Sequence, residues 1–206
     1  MTLKAQKGSY TPAQVSVLTG LPLTAVHKAI EYRLIAPKRI REGKALIRLF
    51  SEPQVLFLFL EARGLRSLPL PVRREVAKAL ERNPSVDALH ISEGGVIVIE
   101  CKSARRAIKT GLRRLAEAEL MVESNPDLVL GTPVYRGTRI PVHAIAEMFA
   151  HGATTQEILD GYPALTREKI ELAPLYVKAF PRKGRPPARP WATKEPSRVS
   201  RHRLAS

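Results

Sequence analysis

Cysteine occurs only once in this sequence of 206 residues, at Cys101. A single thiol excludes a disulfide framework and any zinc site built from cysteines, and it is typical of a reducing compartment. Aromatic residues are also few, at 5% of the chain, whereas hydrophobic residues reach 44%. This composition supplies real hydrophobic cores, but it favours small helical units over a β-sandwich or a β-barrel.

Long hydrophobic runs are also absent. The longest, Val55 to Leu60, is far shorter than the roughly 20 apolar residues that a membrane-spanning helix needs. The first nine residues contain Lys4 and Lys7 but no apolar stretch, so we expect no signal peptide. The sequence therefore predicts a soluble, cytoplasmic protein that makes no contact with a membrane.

Motifs for cofactors and common catalytic sites are missing too. There is no glycine-rich phosphate loop, no metal-binding pair of histidines and no nucleophile elbow. We therefore expect no cofactor, no metal and no enzymatic activity.

One pattern, in contrast, is typical of an enzyme. Asp87, followed by Glu100-Cys101-Lys102 at the end of an apolar strand, matches the Asp…Glu-x-Lys arrangement of metal-dependent nucleases. In those enzymes the carboxylates hold Mg²⁺ and the lysine positions a water. Such a nuclease needs a larger sheet than the two strands evident here, so we interpret Glu100 and Lys102 as the junction between a strand and a helix.

The net charge of +15 is unevenly distributed. Residues 1–64 contain ten Lys and Arg against four acidic residues, and residues 65–120 contain eleven against seven. Residues 121–180 contain five against seven, whereas residues 181–206 contain eight against one. This distribution favours a polyanion at one end of the chain and an acidic partner at the other, with solubility alone as the alternative.

Turn residues and hydrophobic periodicity divide the chain into four pieces. Together they predict a mostly helical α+β protein. The pieces are a winged helix-turn-helix (1–64), a connector with a β-hairpin and a helix (65–120), a second small helix-turn-helix-like domain (121–180) and a disordered basic tail (181–206).

The first piece has the sequence of a winged helix-turn-helix. A short helix opens at Thr11-Pro12, and after a glycine turn a second helix is expected from Leu23 to Arg33. Two extended runs, Lys38–Arg41 and Ala45–Phe50, then form a hairpin. In such a fold the second helix enters the major groove and the hairpin lies along phosphates. The predicted DNA-binding residues are Thr24, His27, Lys28, Arg33, Lys38, Arg39, Arg41, Lys44 and Arg48.

This first piece resembles the MerR family of DNA-binding proteins. The residues that carry the resemblance are Tyr10-Thr11, Thr19-Gly20-Leu21, Arg33-Leu34-Ile35 and Phe50-Ser51. Ala25 and Lys28 depart from the family pattern, and no effector-site cysteines follow. The resemblance therefore implies the DNA-binding fold and not metal sensing.

A third helix, expected from Gln54 to Arg63, is apolar on every side. Such a helix must be covered on every side. A dimer interface, which would also pair two DNA-binding units, is one explanation. Burial against residues 65–120 of the same chain is the other.

The third piece contains the most specific motif. Gly137 permits a sharp turn, and Pro141 favours the first turn of a helix. The segment looks like the small helical domain of VapB-type antitoxins, which pair with PIN-like ribonuclease toxins. The residues concerned are Arg136, Gly137, Thr138, Arg139, Ile140 and Pro141, with Asn125-Pro126-Asp127 before them and Ala150-His151-Gly152-Ala153 and Tyr162-Pro163-Ala164-Leu165-Thr166 after them.

In that family the segment is itself a helix-turn-helix. Because residues 121–180 are slightly acidic here, we assign them dimerisation or toxin docking instead of the main DNA contact. Arg136 and Arg139 either bind an acidic partner or pair with Asp127 and Glu147.

The tail contains five prolines, eight basic residues and almost no apolar side chains. It cannot bury enough surface to offset its chain entropy, so we expect disorder. Its arginines can bind the carboxylates of a nuclease active site, and an arm on DNA phosphates is the alternative. The predicted toxin-binding residues are Arg182, Lys183, Arg185, Arg189 and Trp191.

These patterns predict a homodimeric antitoxin that binds a PIN-like ribonuclease toxin and represses its own operon. A MerR-like transcription regulator without a toxin is the second hypothesis. A small metal-dependent nuclease is the third.

Overall fold

The computed structural model describes residues 8–43, 45–92, 96–124 and 132–181. This part of the chain is a mostly helical α+β fold with small antiparallel sheets, as the sequence predicts.

The first unit is a helix-turn-helix followed by a β-hairpin. Its elements are β1 (Ser9–Tyr10), α1 (Pro12–Thr19), α2 (Leu23–Glu31), β2 (Lys38–Glu42), β3 (Ala45–Ser51) and α3 (Glu52–Glu61). Strand β1 pairs with β3, and β3 pairs with β2, so the sheet order is β1-β3-β2.

Local hydrogen bonds explain where α1 begins and where α2 ends. The Thr11 hydroxyl accepts the Gln14 N–H, and the Gln14 side chain accepts the Thr11 N–H at 2.8 Å, so the predicted start of α1 is confirmed. Helix α2 ends at Glu31, two residues earlier than expected. Arg33 adopts a left-handed φ of 54°, and the Leu34 N–H then bonds back to the Ala29 carbonyl at 3.0 Å.

The second unit packs a hairpin and two helices onto the first. Strands β4 and β5 form a two-stranded sheet with Ala88 opposite Glu100 and Ile91 opposite Ile97. The elements are α4 (Leu70–Arg82), β4 (Ala88–Ile91), β5 (Ile97–Glu100) and α5 (Lys102–Leu120).

The third unit is a short β-pair followed by three helices. Its elements are β6 (Val122–Glu123), β7 (Val134–Tyr135), α6 (Val142–Ala150), α7 (Thr155–Gly161) and α8 (Arg167–Ala179). The hydroxyl of Thr154 accepts the Glu157 N–H at the start of α7, and that of Thr166 accepts the Lys169 N–H at the start of α8.

Two hydrophobic cores organise these units, and α5 contributes to both. The first core runs from Val15 to Ile108 without a break at residue 64, and the second runs from Ala118 to Tyr176. Helix α5 also contacts α1, α3 and α8, and α8 reaches back to α1.

The apolar helix α3 lies inside the first core. Every residue from Val55 to Leu60 is at most 8% exposed. Helices α4 and α5 cover it together with α1 and β3. The structure therefore shows burial within one chain, and this helix needs no dimer partner to be covered.

Candidate nucleic-acid interface

The second helix and the hairpin enclose a groove on the surface of the first unit. His27 on α2 lies on one side, and Arg48, Leu46 and Ile47 on β3 lie on the other. With Pro12 of α1 they line an open groove of about 310 Å³. The fold thus brings predicted residues from two separate elements to one surface.

Three arginines share one face of the hairpin. Arg39 lies directly opposite Arg48, and Arg41 lies opposite Leu46. Because side chains alternate between the two faces of a strand, Arg39, Arg41 and Arg48 project from the same face. Like charges directly opposite each other across a strand pair are destabilising. A negatively charged partner would remove this repulsion.

No described carboxylate neutralises these cations. The ion pairs between described side chains involve Glu61, Asp87, Glu117 and Glu171, and none of them includes a residue of α2, β2 or β3. Most of the predicted DNA-binding side chains are exposed, and Arg48 is half-buried. Lys44 lies outside the described residues. The exposed members are Thr24, His27, Lys28, Arg33, Lys38, Arg39 and Arg41.

Two exposed apolar side chains on this surface were missed by the sequence analysis. Leu23, the first residue of α2, is 44% exposed, and Leu46 of the hairpin is 63% exposed. The N-terminal residues of a recognition helix contact base edges, and an apolar side chain there can contact a thymine methyl group. Periodicity does not reveal Leu23, because it precedes Val26 by three residues and Ile30 by seven, a spacing that predicts a place on the apolar side of α2.

A contact from outside the first unit also reaches this surface. Arg74 of α4 donates a hydrogen bond to the Tyr32 carbonyl at 3.3 Å, at the end of α2. Both side chains are exposed. Helix α4 therefore supports the C-terminal end of the predicted recognition helix.

In the third unit, the Arg136–Pro141 motif forms the turn between β7 and α6. Gly137 adopts a φ of 75°, and its N–H donates to the Glu123 carboxylate at 3.0 Å. The Thr138 hydroxyl donates to the Tyr135 carbonyl at 2.8 Å and accepts the Ile140 N–H at 3.1 Å. Pro141 directly precedes α6. These contacts give the motif a structural role.

The two arginines of that motif differ. Arg136 donates from Nε to the Leu120 carbonyl at 3.1 Å, which ties the turn to the end of α5. Arg139 is exposed. Within the described residues neither arginine forms an ion pair with Glu147, and Asp127 lies outside them. The predicted toxin-binding residues Arg182, Lys183, Arg185, Arg189 and Trp191 also lie outside the described part of the chain.

The nuclease-like residues form a strand-to-helix junction. Asp87 lies 3.9 Å from Lys102 and 3.5 Å from Arg105, and its backbone carbonyl accepts the Cys101 N–H at 2.8 Å. Glu100 accepts hydrogen bonds from Ser103, which lower the pKa of its carboxyl. Among the described residues no three His, Cys, Asp or Glu side chains cluster as metal ligands.

No helix in the described ranges is both long enough and apolar enough to cross a membrane.

Comparison with known proteins gives a family match within the third unit. Residues 122–177 match a family described as "Protein of unknown function (DUF433)". This match covers little more than a quarter of the chain and coincides with the third unit.

A curated relative and a solved structure extend the comparison. The relative is the uncharacterized protein y4eO from Sinorhizobium fredii, 40% identical over 89 residues. These residues are 43% of this chain and 40% of the relative, so the chain spans less than half of that protein. A crystal structure of Rv2018 from Mycobacterium tuberculosis covers 83% of this chain and 99% of its own, with 14% identity and a TM-score of 0.31. At that TM-score the likeness carries no argument about this chain.

Proposed function

We propose that this protein is an antitoxin of a bacterial toxin–antitoxin pair. It binds operator DNA in the cytoplasm through α2 and the hairpin, and it binds a PIN-like ribonuclease toxin through residues 121–206. The arginine face of the hairpin carries the DNA-binding half of this proposal. Arg39, Arg41 and Arg48 share one face of the hairpin without a described counterion, and Arg48 lies across the groove from His27.

Phosphate groups neutralise the positive charge of this face, which water does not. The arginines on this face of the hairpin repel one another in the free protein. Phosphate oxygens neutralise guanidinium groups with charge-assisted hydrogen bonds. The neighbouring helix presents Thr24, His27 and Lys28 toward solvent. This combination supports a backbone contact by the hairpin and base contacts by α2.

The toxin-binding half rests on other observations. It follows from the resemblance of residues 121–180 to VapB-type antitoxins and from the eight basic residues in the tail. Arginine suits this task because its planar guanidinium binds a carboxylate through two hydrogen bonds. Homodimerisation belongs to the proposal because two half-sites would need two recognition helices.

Equilibrium binding to the DNA upstream of the protein's own coding region tests the DNA-binding half. If α2 and the hairpin contribute about three phosphate contacts per subunit, they add about −3 per subunit to the slope of log affinity against log salt. Replacing both Arg39 and Arg41 with Glu should abolish binding. The matched control replaces Arg66 and Lys178, which are exposed outside the hairpin, with the same charge change. If the variant with Arg39 and Arg41 replaced binds as well as the wild type, the assignment of DNA binding to the hairpin is refuted.

The adjacent reading frame separates this proposal from a MerR-like regulator without a toxin. An antitoxin requires a neighbouring gene for a small acidic protein with three or four spaced Asp or Glu residues. Co-expression then tests whether that protein arrests growth alone and copurifies with this chain. A neighbour that is harmless and does not bind favours the regulator.

A further inference from the structure

Helix α5 carries a second concentration of positive charge outside the winged helix. It contains six Lys and Arg against two Glu. Four of the cations, Lys102, Arg106, Lys109 and Arg113, follow one another at intervals of four, three and four residues. Such spacing places them on one side of the helix. At 1.5 Å per residue this α5 stripe is about 16 Å long.

The structure fixes the stripe on a rigid support. The buried residues of α5 are Ala104, Ile108, Leu115 and Ala118, on the side of the helix opposite the stripe. Ala104 and Ile108 belong to the first hydrophobic core, and Ala118 belongs to the second. All four stripe residues are exposed. The cations are therefore displayed together without further ordering of the backbone.

Little of this charge is neutralised within the protein. Lys102 lies 3.9 Å from Asp87, and Arg113 lies 3.9 Å from Glu117, with all four side chains at least 44% exposed. Exposed pairs of this kind contribute about 0–1 kcal/mol. Arg106 and Lys109 form no ion pair with any side chain in the described ranges, and the Glu100 carboxylate, which interacts with Arg106 at a longer distance, is fully exposed to water. The middle of the stripe thus keeps its charge available.

The side chains around the stripe indicate what it binds. Its exposed neighbours on α5 include the small residues Ser103, Ala107, Thr110 and Ala116. Among the described residues of α5, the one large exposed apolar side chain is Leu120, at the far end. Protein interfaces depend on buried aromatic and apolar anchors, whereas phosphates are bound by Lys, Arg and hydroxyl groups.

We propose that the α5 stripe is a second phosphate-binding surface, which contacts the backbone of duplex DNA without reading its sequence. It deepens the proposed function, because it places DNA contacts outside residues 1–64. Since phosphate contacts carry no sequence information, the stripe contributes equally to operator and unrelated DNA.

The test measures binding of the full chain to a fluorescent duplex of arbitrary sequence at several salt concentrations. The stripe variant replaces Lys102, Arg106, Lys109 and Arg113 with Gln. If each of the four cations contacts one phosphate, we expect its salt slope to be shallower by about 3.6, at roughly 0.9 per lost contact. The control variant carries the same charge change on exposed cations elsewhere, at Arg66, Lys78, Arg167 and Lys178, and its slope should change by less than about 1.

Each outcome is decisive. Equal slopes for the stripe and control variants mean that the stripe is only a solvated helix face, and the inference is wrong. Loss of binding to an acidic partner protein with unchanged DNA binding also overturns it. If the stripe variant weakens binding and the Arg39 and Arg41 variant does not, the inference stands and the winged-helix assignment fails. If the wild type binds no duplex DNA at any salt concentration, both fail.

Discussion

The guanidinium of Arg73 on α4 donates two hydrogen bonds to the carboxylate of Glu61 at the end of α3. Nε lies 2.8 Å from one oxygen and Nη2 lies 2.6 Å from the other. The two side chains are only 13% and 4% exposed. This pair joins the winged helix to the connector beside the covered helix α3.

Replacing Arg73 with Ala should therefore lower the free energy of unfolding strongly. The change leaves Glu61 buried without its counterion, and breaking a buried pair costs about 3–5 kcal/mol. Urea unfolding measures the loss. Arg74→Ala is the matched control, because Arg74 is exposed on the same helix and should lose less than about 1 kcal/mol. A loss of similar size in both variants would show that the pair contributes no more than a surface residue.

A close approach between α5 and α1 yields a second prediction. A Cβ added to Gly111 would lie 3.1 Å from Cδ2 of Leu18. We expect Gly111→Val to destabilise the protein by about 1–3 kcal/mol, because the larger side chain overpacks this contact. Thermal unfolding of the single variant and of the double variant with Leu18→Ala checks the cause. If Leu18→Ala restores no stability, the two positions are not coupled.

The interface between α5 and α8 should respond to pH. Burial raises the pKa of Glu119, and the charge of Glu119 adds to the burial that raises the pKa of Tyr176 to about 12. A carboxyl whose folded-state pKa is raised favours the fold only while it is protonated. Its contribution is therefore complete below the ordinary value of 4.5 and is lost as the pH rises through the folded-state pKa.

Glu119→Gln should thus be more stable than the wild type at pH 7, and the difference should vanish in acid. Denaturant midpoints at several pH values measure it. Glu117→Gln is the control, because Glu117 is exposed and lies two residues away on the same helix. A stabilisation that persists unchanged below pH 4.5 would contradict the electrostatic cause.

Truncation after Pro181 tests the role predicted for the tail. The shortened chain retains both hydrophobic cores, so it should fold and bind DNA. It should fail to protect cells from the toxin, because Arg182, Arg185, Arg189 and Trp191 are lost. Growth in cells that co-express the toxin is the measurement. Full rescue by the truncated chain would move toxin neutralisation to residues 121–180.

Local sequence signals predicted most of the elements. Thr11 and Gly20 mark the ends of α1, Thr154 precedes α7, and Gly137 forms the turn before α6. These features involve residues a few positions apart, so the chain reveals them without its tertiary contacts. The end of α2 was predicted less accurately than its start. The left-handed conformation of Arg33, which ends α2, is uncommon for a residue other than glycine.

The candidate site was predictable in part for the same reason. The two extended runs Lys38–Arg41 and Ala45–Phe50 indicated the hairpin, and strand alternation alone places Arg39 and Arg41 on one face. The sequence did not reveal the exposed Leu23 and Leu46, because hydrophobic residues are assigned to a core unless a structure shows otherwise. Nor did it reveal that Arg74 reaches Tyr32 across 42 positions.

The sequence by itself determined which segments become helices and strands and which of their faces are apolar, because these properties depend on neighbouring residues. Only the tertiary structure decided what covers each apolar face. Helix α3 could have been buried by a second copy or by its own chain, and α4 and α5 bury it. Burial is satisfied by any apolar surface of the right shape, so a hydrophobic pattern specifies that a helix must be covered and does not specify its partner.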